Sequence, residues 1–343
     1  MAKVEIQRLR GMSTVMLEAM GVPAAQAEII ADTVVYAHTH ARATHGITRF
    51  PIYIRKIREG LMTADTRVET VRDLPALCVL DAGNGFGQIA VYEGMRRCID
   101  KARQCGIGGA GIRNSNNFGV AAYFTEMAAR EKMVGVLLGA AAPAIAPTGG
   151  KKPIFGTNPI CVALPNREGK APIILDMATS EAARGKIRLA AKNNEKIPFG
   201  WAIDAQGNPT DDPNAALEGT MLPIGGYKGY GIALMVDVIA GLLSGNAFAG
   251  DIKPLNAPHE FSRHGHALLA INIQVLMPYE EYLQKIDTLI ERVRACGEEG
   301  KILLPGEIEF NAAQQNFETV EINSRQTDEF NALAQSMGIR DAL

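Results

Sequence analysis

Residues 83–90 read GNGFGQIA and follow directly on the alternating run ALCVLDA at 76–82. A strand, a glycine turn and a helix in this order is where a Rossmann βαβ unit places G-x-G-x-x-G. Here the glycines fall at 83, 85 and 87, a G-x-G-x-G spacing that sets the third one residue early. No acidic residue about 20 positions on closes the unit. A second glycine run, GIGGAGIR at 106–113, leads into another strand-like stretch and does not open a helix. The pattern predicts an α/β chain without a Rossmann unit, in which these glycines serve turns and close packing.

Working outward, the 343 residues suggest about two domains with a sizeable core. Lys and Arg number 35 against 37 Asp and Glu, which disfavours a nucleic-acid partner, since phosphate recognition leaves a strongly basic face. Apolar residues at 47% and charged residues at 21% describe a globular chain. The start MAKVEIQRLRGM has no apolar stretch of a secretory signal. The apolar runs 134–150 and 231–245 are broken by Pro143 and Pro147 or by Asp237, and fall short of a membrane span. Five scattered cysteines without C-x-x-C suit free thiols in a reducing cytoplasm.

Helical periodicity marks 5–20, 24–42, 50–60, 87–105, 229–244 (a buried helix with Gly245 as C-cap) and 278–298. TRVETV (66–71) and ALCVLDAG (76–83) form a candidate strand pair. GGAGIRNS, VGVLLGA, PICVALP, APIILDMAT and HALLAINIQVL (266–276) are further strands. Helical ends around a β-rich middle predict a discontinuous terminal domain, 1–75 plus 300–343, around an inserted β-rich domain, 76–299.

The stretch ATHGITRFPIYIRKI, 43–57, is the most informative chemically. Pro51 fits a first helical turn, with Thr48 as N-cap and Arg49 and Tyr53 on one face. His45 then stands at the helix entrance beside an arginine and a phenol. A guanidinium can clamp a carboxylate while the imidazole moves a proton on the neighbouring oxygen. The plain alternative is a surface helix start with a solvated arginine. GTNPI (156–160), DMATSEAARGKI (176–187) and GGYKGYG (225–231) combine small residues with Thr, Asn and Lys. Such turns present backbone N–H groups to an anion, and Lys228 stands unobstructed between glycines. Each alone reads as an ordinary turn; it is their co-occurrence that points to an anionic ligand.

THGITRFP, NSNNFG, GTNPI, LDMATS, ARGKI, PFGWAIDAQGNPTDDP, GGYKGYGIALMVDVIAGLLSG and LPGE, in this order, resemble the type-2 malate/L-lactate dehydrogenase family. That family also contains ureidoglycolate and sulfolactate dehydrogenases, 2,3-diketogulonate reductase and the piperideine- and pyrroline-2-carboxylate reductases. The resemblance runs from about residue 10 to 310. It implies a non-Rossmann NAD(P)-binding α/β fold, a cytoplasmic homodimer, NAD or NADP as cofactor, and hydride transfer to or from C2 of a small 2-oxo or 2-hydroxy carboxylate. By the same resemblance His45 is the proton donor and Arg49 the carboxylate clamp, with Thr44 and Tyr53 in the substrate pocket. The cofactor falls on Asp176, Met177, Ala178, Thr179, Lys228, Pro305, Gly306 and Glu307, with Thr157 and Asn158 nearby.

The chain departs from the family pattern at Thr44, where Ser is commoner, and at Asn117, where many members have a second histidine. An amide donates a hydrogen bond but delivers no proton near neutral pH. Asn117 therefore keeps open an imino-acid reductase, whose substrate is already protonated, and a non-redox enzyme or nucleotide-binding sensor on the same scaffold. His38, His40 and His45 lack a carboxylate or cysteine at ligand spacing, so no metal is expected there. In APHEFSRHGH (257–266), Arg263 and His264 are candidates for choosing the substrate's distal group.

Overall fold

The computed structural model describes residues 1–298 and 300–343. Its strands are β1 (Ala2–Glu5), β2 (Glu69–Asp73), β3 (Leu77–Asp81), β4 (Ile107–Ser115), β5 (Met133–Ala140), β6 (Ile160–Leu164), β7 (Ile173–Met177), β8 (Ala202–Ile203), β9 (Thr220–Met221), β10 (His264–Asn272) and β11 (Thr319–Ile322). Seven of them form one mixed sheet in the order β2-β3-β4-β10-β5-β6-β7. Only β3 and β4 run parallel; the other neighbours are antiparallel. The C-terminal ends of β4, β5 and β7 therefore meet the N-terminal ends of β10 and β6 along one edge of the sheet. That edge carries the candidate site.

The helices are α1 (Ile6–Ala19), α2 (Ala24–Thr39), α3 (Phe50–Arg58), α4 (Gly87–Cys105), α5 (Ala121–Arg130), α6 (Arg184–Asn193), α7 (Pro213–Glu218), α8 (Tyr227–Val236), α9 (Ile273–Leu276), α10 (Tyr279–Arg294), α11 (Glu307–Gln315) and α12 (Ser324–Ser336). Helices α4 and α5 lie on the sheet because glycines admit them. A Cβ on Gly108 would stand 2.1 Å from the Cys98 carbonyl oxygen, and one on Gly135 2.4 Å from that of Thr125. Met95, Cys98, Ile112, Phe124, Leu137 and Leu268 fill the resulting core. Helix α4 ends as its sequence predicts, with Gly106 left-handed at φ +81° and its N–H on the Ala102 carbonyl.

A second core joins α1, α2 and α3 to α12 and to the β1–β11 ribbon, through Leu9, Met16, Ile30, Phe50, Val320 and Phe330. These two short strands have no sequence signal of their own; only their pairing across the length of the chain makes them strands. Strand β2 joins the large sheet on the N-terminal side of the boundary expected at 76.

Two predicted elements differ. The helix expected over 229–244 is α8 followed by a π-helical turn, Asp237–Leu242, and Gly245 ends it at φ +75°. It is not buried on all sides: Ile232, Met235, Ile239, Leu242 and Leu243 are exposed. The strand expected over 266–276 stops at Asn272, whose side chain accepts the Gln274 N–H and starts α9.

The glycines of GNGFGQIA do what their spacing implied. Gly83 and Asn84 take positive φ, and a Cβ on Gly85 would meet Thr66, whose hydroxyl accepts the Phe86 N–H. Gly87 lies on the backbone of Asn116 and Asn117, with a Cβ placed 2.2 Å from the Asn116 carbonyl oxygen. Gly87→Ala must therefore move α4 away from the Asn117 segment. The expected cost is about 1–3 kcal/mol in urea unfolding, the range for overpacking a fitted core, together with reduced turnover.

Candidate active site

The segment carrying Thr44, His45 and Arg49 is two short 3₁₀ turns, Ala43–His45 and Ile47–Arg49, between α2 and α3. His38, buried in the last turn of α2, holds it down. The Ile47 N–H donates to His38 Nε2 at 3.2 Å, and a Cβ on Gly46 would stand 2.2 Å from that nitrogen. His38 must be neutral to accept this bond, and burial pushes its pKa down to about 4. Pro51 sits in the first turn of α3 as predicted, but Thr48 is not the N-cap: Arg49 holds that position with no side-chain cap. The Thr48 hydroxyl instead faces back to the Thr44 carbonyl at 3.4 Å.

A cavity of about 330 Å³ runs along the sheet edge. Thr44 and His45 line it from the 3₁₀ turns, Asn117 from the turn after β4, and Thr157, Asp176 and Ala178 from the ends beside β6 and β7. The Thr44 hydroxyl lies 3.1 Å from His45 Nδ1 and orients the ring. Burial, and then the positive charges of Arg49 and Arg42, push the His45 pKa down to about 4. The Asn117 side-chain carbonyl accepts the Gly119 N–H at 3.1 Å, which commits the amide's acceptor and leaves its NH₂ as the donor. Asp176 accepts the Ala122 N–H at the start of α5, and burial raises its pKa.

A second lobe of about 160 Å³ continues the cavity through shared walls at Arg42, Val120 and Asp176. Pro305 and Gly306 line it, opposite the stacked Tyr36–His40 pair. Two adjacent lobes that share Arg42, Val120 and Asp176, each mixing apolar walls with titratable groups, suit an elongated dinucleotide such as NAD or NADP.

Several expected residues lie elsewhere. Tyr53 is 1% exposed, packs on Phe50 and Phe86 and receives the Gln88 amide on its hydroxyl, so it is a core residue and not a pocket wall. Asn158 is buried, accepting the Ala141 N–H and donating to the Ala233 carbonyl. The Thr179 hydroxyl is bound to the Thr157 carbonyl. Glu307 caps the Leu304 N–H and pairs with Arg294. Met177 and Lys228 line neither lobe; Lys228 stands exposed in the first turn of α8. Arg49 is outside both linings too, yet its buried Nε has no protein partner. Arg42 and Arg184 enter the lining without having been assigned a role, and His266 joins them from the 257–266 histidine cluster, because strand register and loop closure, not local pattern, bring them there. His264, expected on a loop, opens β10.

Two consequences are measurable. His38→Ala removes the acceptor that pins the 3₁₀ turns, so kcat should fall at least about tenfold while the native fold persists; unchanged kcat would count against this role. The second concerns acid. His38, His264 and His266 are buried with pKa values pushed down to about 4, 4 and 3 from 6.5. As pH falls below 6.5 the unfolded histidines protonate while the native ones stay neutral, so stability present above 6.5 is lost toward pH 4. Urea unfolding at pH 5 should show uptake of about four protons, the fourth from His45, whose pKa is likewise near 4, where a pH-independent stability between 7 and 5 would contradict the burial.

The family model described as malate/L-lactate dehydrogenase matches residues 4–331. The L-sulfolactate dehydrogenase of Methanothermobacter thermautotrophicus is 36% identical over 324 residues, covering 94% of each chain. A Pseudomonas aeruginosa Δ1-pyrroline-2-carboxylate/Δ1-piperideine-2-carboxylate reductase is 34% identical, covering 92% of this chain and 94% of the relative. The solved sulfolactate dehydrogenase of Methanocaldococcus jannaschii superposes with a TM-score of 0.93 at 36% identity over 98% of both chains. With its sheet, its cavity and these matches in agreement, the chain belongs to the malate/L-lactate dehydrogenase family of NAD(P)-dependent oxidoreductases.

Proposed function

We propose that the chain interconverts a small 2-oxo acid and its 2-hydroxy acid with NADH or NADPH as redox partner. The observation that carries this reading is the meeting of His45, Thr44 and Asn117 in one cavity with the Asp176–Ala178 strand end, continuous with the Pro305–Gly306 lobe. A bound nicotinamide supplies or accepts the hydride. The protein's own groups handle the carboxylate and the proton. Arg49, whose buried Nε has no partner, fixes the substrate carboxylate. His45, oriented by Thr44, gives a proton to the C2 oxygen in reduction and takes it back in oxidation. The Asn117 NH₂ donates a hydrogen bond to the same heteroatom.

The low His45 pKa has a directional consequence. In the free protein the ring is neutral at pH 7, ready as a base but scarcely available as an acid. A bound carboxylate offsets Arg49 and so raises the ring's proton affinity when the proton is needed. The tenfold-per-pH-unit change that a proton-consuming reaction imposes on its equilibrium should therefore fall on the reduction direction. Between pH 6 and 9, log kcat/KM for reduction should decline with a slope near −1, while that for oxidation stays flat. An oxidation limb that rises through pH 7 would show a His45 of ordinary basicity. His45→Ala should lower kcat by about 10²–10⁴, whereas Arg49→Ala should act mainly on KM.

Asn117 favours one second reading. An imino acid arrives with its nitrogen already protonated, so no side chain need deliver a proton there and an amide in place of an acid/base group is no handicap. Pyruvate, oxaloacetate and Δ1-pyrroline-2-carboxylate, assayed side by side by NADH and NADPH oxidation, separate the two.

The exposed apolar face of α8 and its π-helical turn supports a homodimer built on it. The five free cysteines support a cytoplasmic location. Among the described residues no helix is long and apolar enough to cross a membrane. Two cores suggest a terminal domain, 1–75 with 300–343, around a domain of 76–299, although Tyr36 and Ala37 join the sheet core and Phe86, Ile89 and Leu255 join the helical one.

A further inference from the structure

The smaller lobe has a charge pattern of its own. One wall is the edge strand β7, extended by a further rung in which the Ile174 N–H donates to the Pro305 carbonyl at 2.9 Å. Gly306 then turns at φ +86° into α11, so close to β7 that a Cβ on it would stand 3.0 Å from the Ile174 carbonyl oxygen. Glu309, in the first turn of α11, is thereby part of the lining, together with the stacked rings of Tyr36 and His40.

Arg42 is the one arginine or lysine in this lining among the described residues, and its guanidinium already donates to Glu309 Oε1 at 2.5 Å. Glu126 accepts the Tyr36 hydroxyl at 3.2 Å and the Arg130 guanidinium at 3.0 Å. Asp176 is the third carboxylate, with one oxygen on the Ala122 N–H. Burial lowers the His40 pKa, so that ring adds no charge near pH 7. The positive end of α11 does not redress the balance. Glu307 and Glu309 both stand in its first turn, and Glu307 accepts the Leu304 N–H at 2.8 Å. Three carboxylates thus face one guanidinium that is already paired. Among the described residues Glu309 Oε2 has no partner, so an acceptor is left free beside that pair.

The redox reading puts the nicotinamide end of the dinucleotide beside His45 and Asn117, in the larger lobe. NADH and NADPH differ only at the other end, where the second carries a phosphate of about two negative charges on the ribose 2′ oxygen. A 2′-hydroxyl donates a hydrogen bond to a carboxylate, whereas a 2′-phosphate meets it charge to charge. We propose that the smaller lobe takes the adenosine end and that Glu309, held by Arg42, selects NADH over NADPH by accepting from the ribose and repelling a 2′-phosphate. The assignment deepens the oxidoreductase reading above and rests on it.

The test is binding without substrate. Calorimetry on the full chain compares NADH with NADPH, and displacement of NADH fluorescence compares 5′-AMP with adenosine 2′,5′-bisphosphate. In each pair the 2′-phosphorylated member should bind at least about tenfold more weakly. Glu309→Gln removes the charge and frees Arg42, so the ratio of the two dinucleotide affinities should move about fivefold or more toward NADPH. Adding Arg42→Ala to that variant should cancel the move. Equal or tighter binding of NADPH, or a ratio that Glu309→Gln leaves in place, overturns the proposal. The wild-type ratios decide even if a variant fails to fold. Absence of binding by either dinucleotide overturns the proposal and the redox reading together. Tight NADH binding without turnover on any oxo acid would sink the oxo-acid reading alone, and the affinity ratios would still decide the role of Glu309.

Discussion

The insertion of β10 between β4 and β5 is the constraint on which the rest of the structure depends. It closes the middle of the sheet with backbone hydrogen bonds on both sides of one strand. It also brings residues 264–266 against 115–117, which are far apart in the chain. Small residues make the insertion possible: Gly108, Gly135 and Gly265 each let a helix backbone approach to a distance that a Cβ would forbid. Those close approaches set where α4, α5 and the π-helical turn lie, and so set the walls of the cavity.

Several basic groups in and beside the cavity have no acidic partner, although Asp176 lines it and Glu309 pairs with Arg42. His38, His45, His264 and His266 are all held neutral, chiefly by desolvation. Arg49 keeps a buried nitrogen without a partner. Inside a protein such groups interact strongly with whatever enters, because little solvent screens them. A carboxylate-bearing substrate supplies the missing negative charge at Arg49 and alters the proton affinity of His45 in the same event. Binding and proton readiness are thus coupled through one electrostatic contact.

Much of the site was legible before any fold was known. The 43–51 stretch is local: a proline fixes the start of α3, and the residues before it must be a turn, so His45 and Arg49 are placed near a helix entrance by chain geometry alone. The same local logic misjudged Tyr53. It shares a helical face with Arg49, but that face turns into the core, where Phe86 and Gln88 meet it. Asn158, set near the cofactor by resemblance, does follow the cavity-lining Thr157, but its own amide is used up by Ala141 and Ala233 from elements remote in sequence. The exposed face of α8 was invisible because an apolar run looks the same whether it faces a core or open solvent.

By itself the sequence determined the types of α1 to α4, α8, α10, β2 to β7 and β10, the absence of a Rossmann turn and the purpose of the GNGFGQIA glycines. These follow from period, from φ preference and from the lack of side-chain bulk, all properties of a few consecutive residues. Spacing in GNGFGQIA excluded one nucleotide fold, but it could not show that Gly87 lies on Asn116 and Asn117 and so sets one wall of the site. Only the tertiary structure decided that, along with the burial of His264 and His266 and the anchoring of the His45 turn by His38. Strand register and desolvation are properties of the packed chain, and no local pattern encodes which distant backbone a buried nitrogen will face.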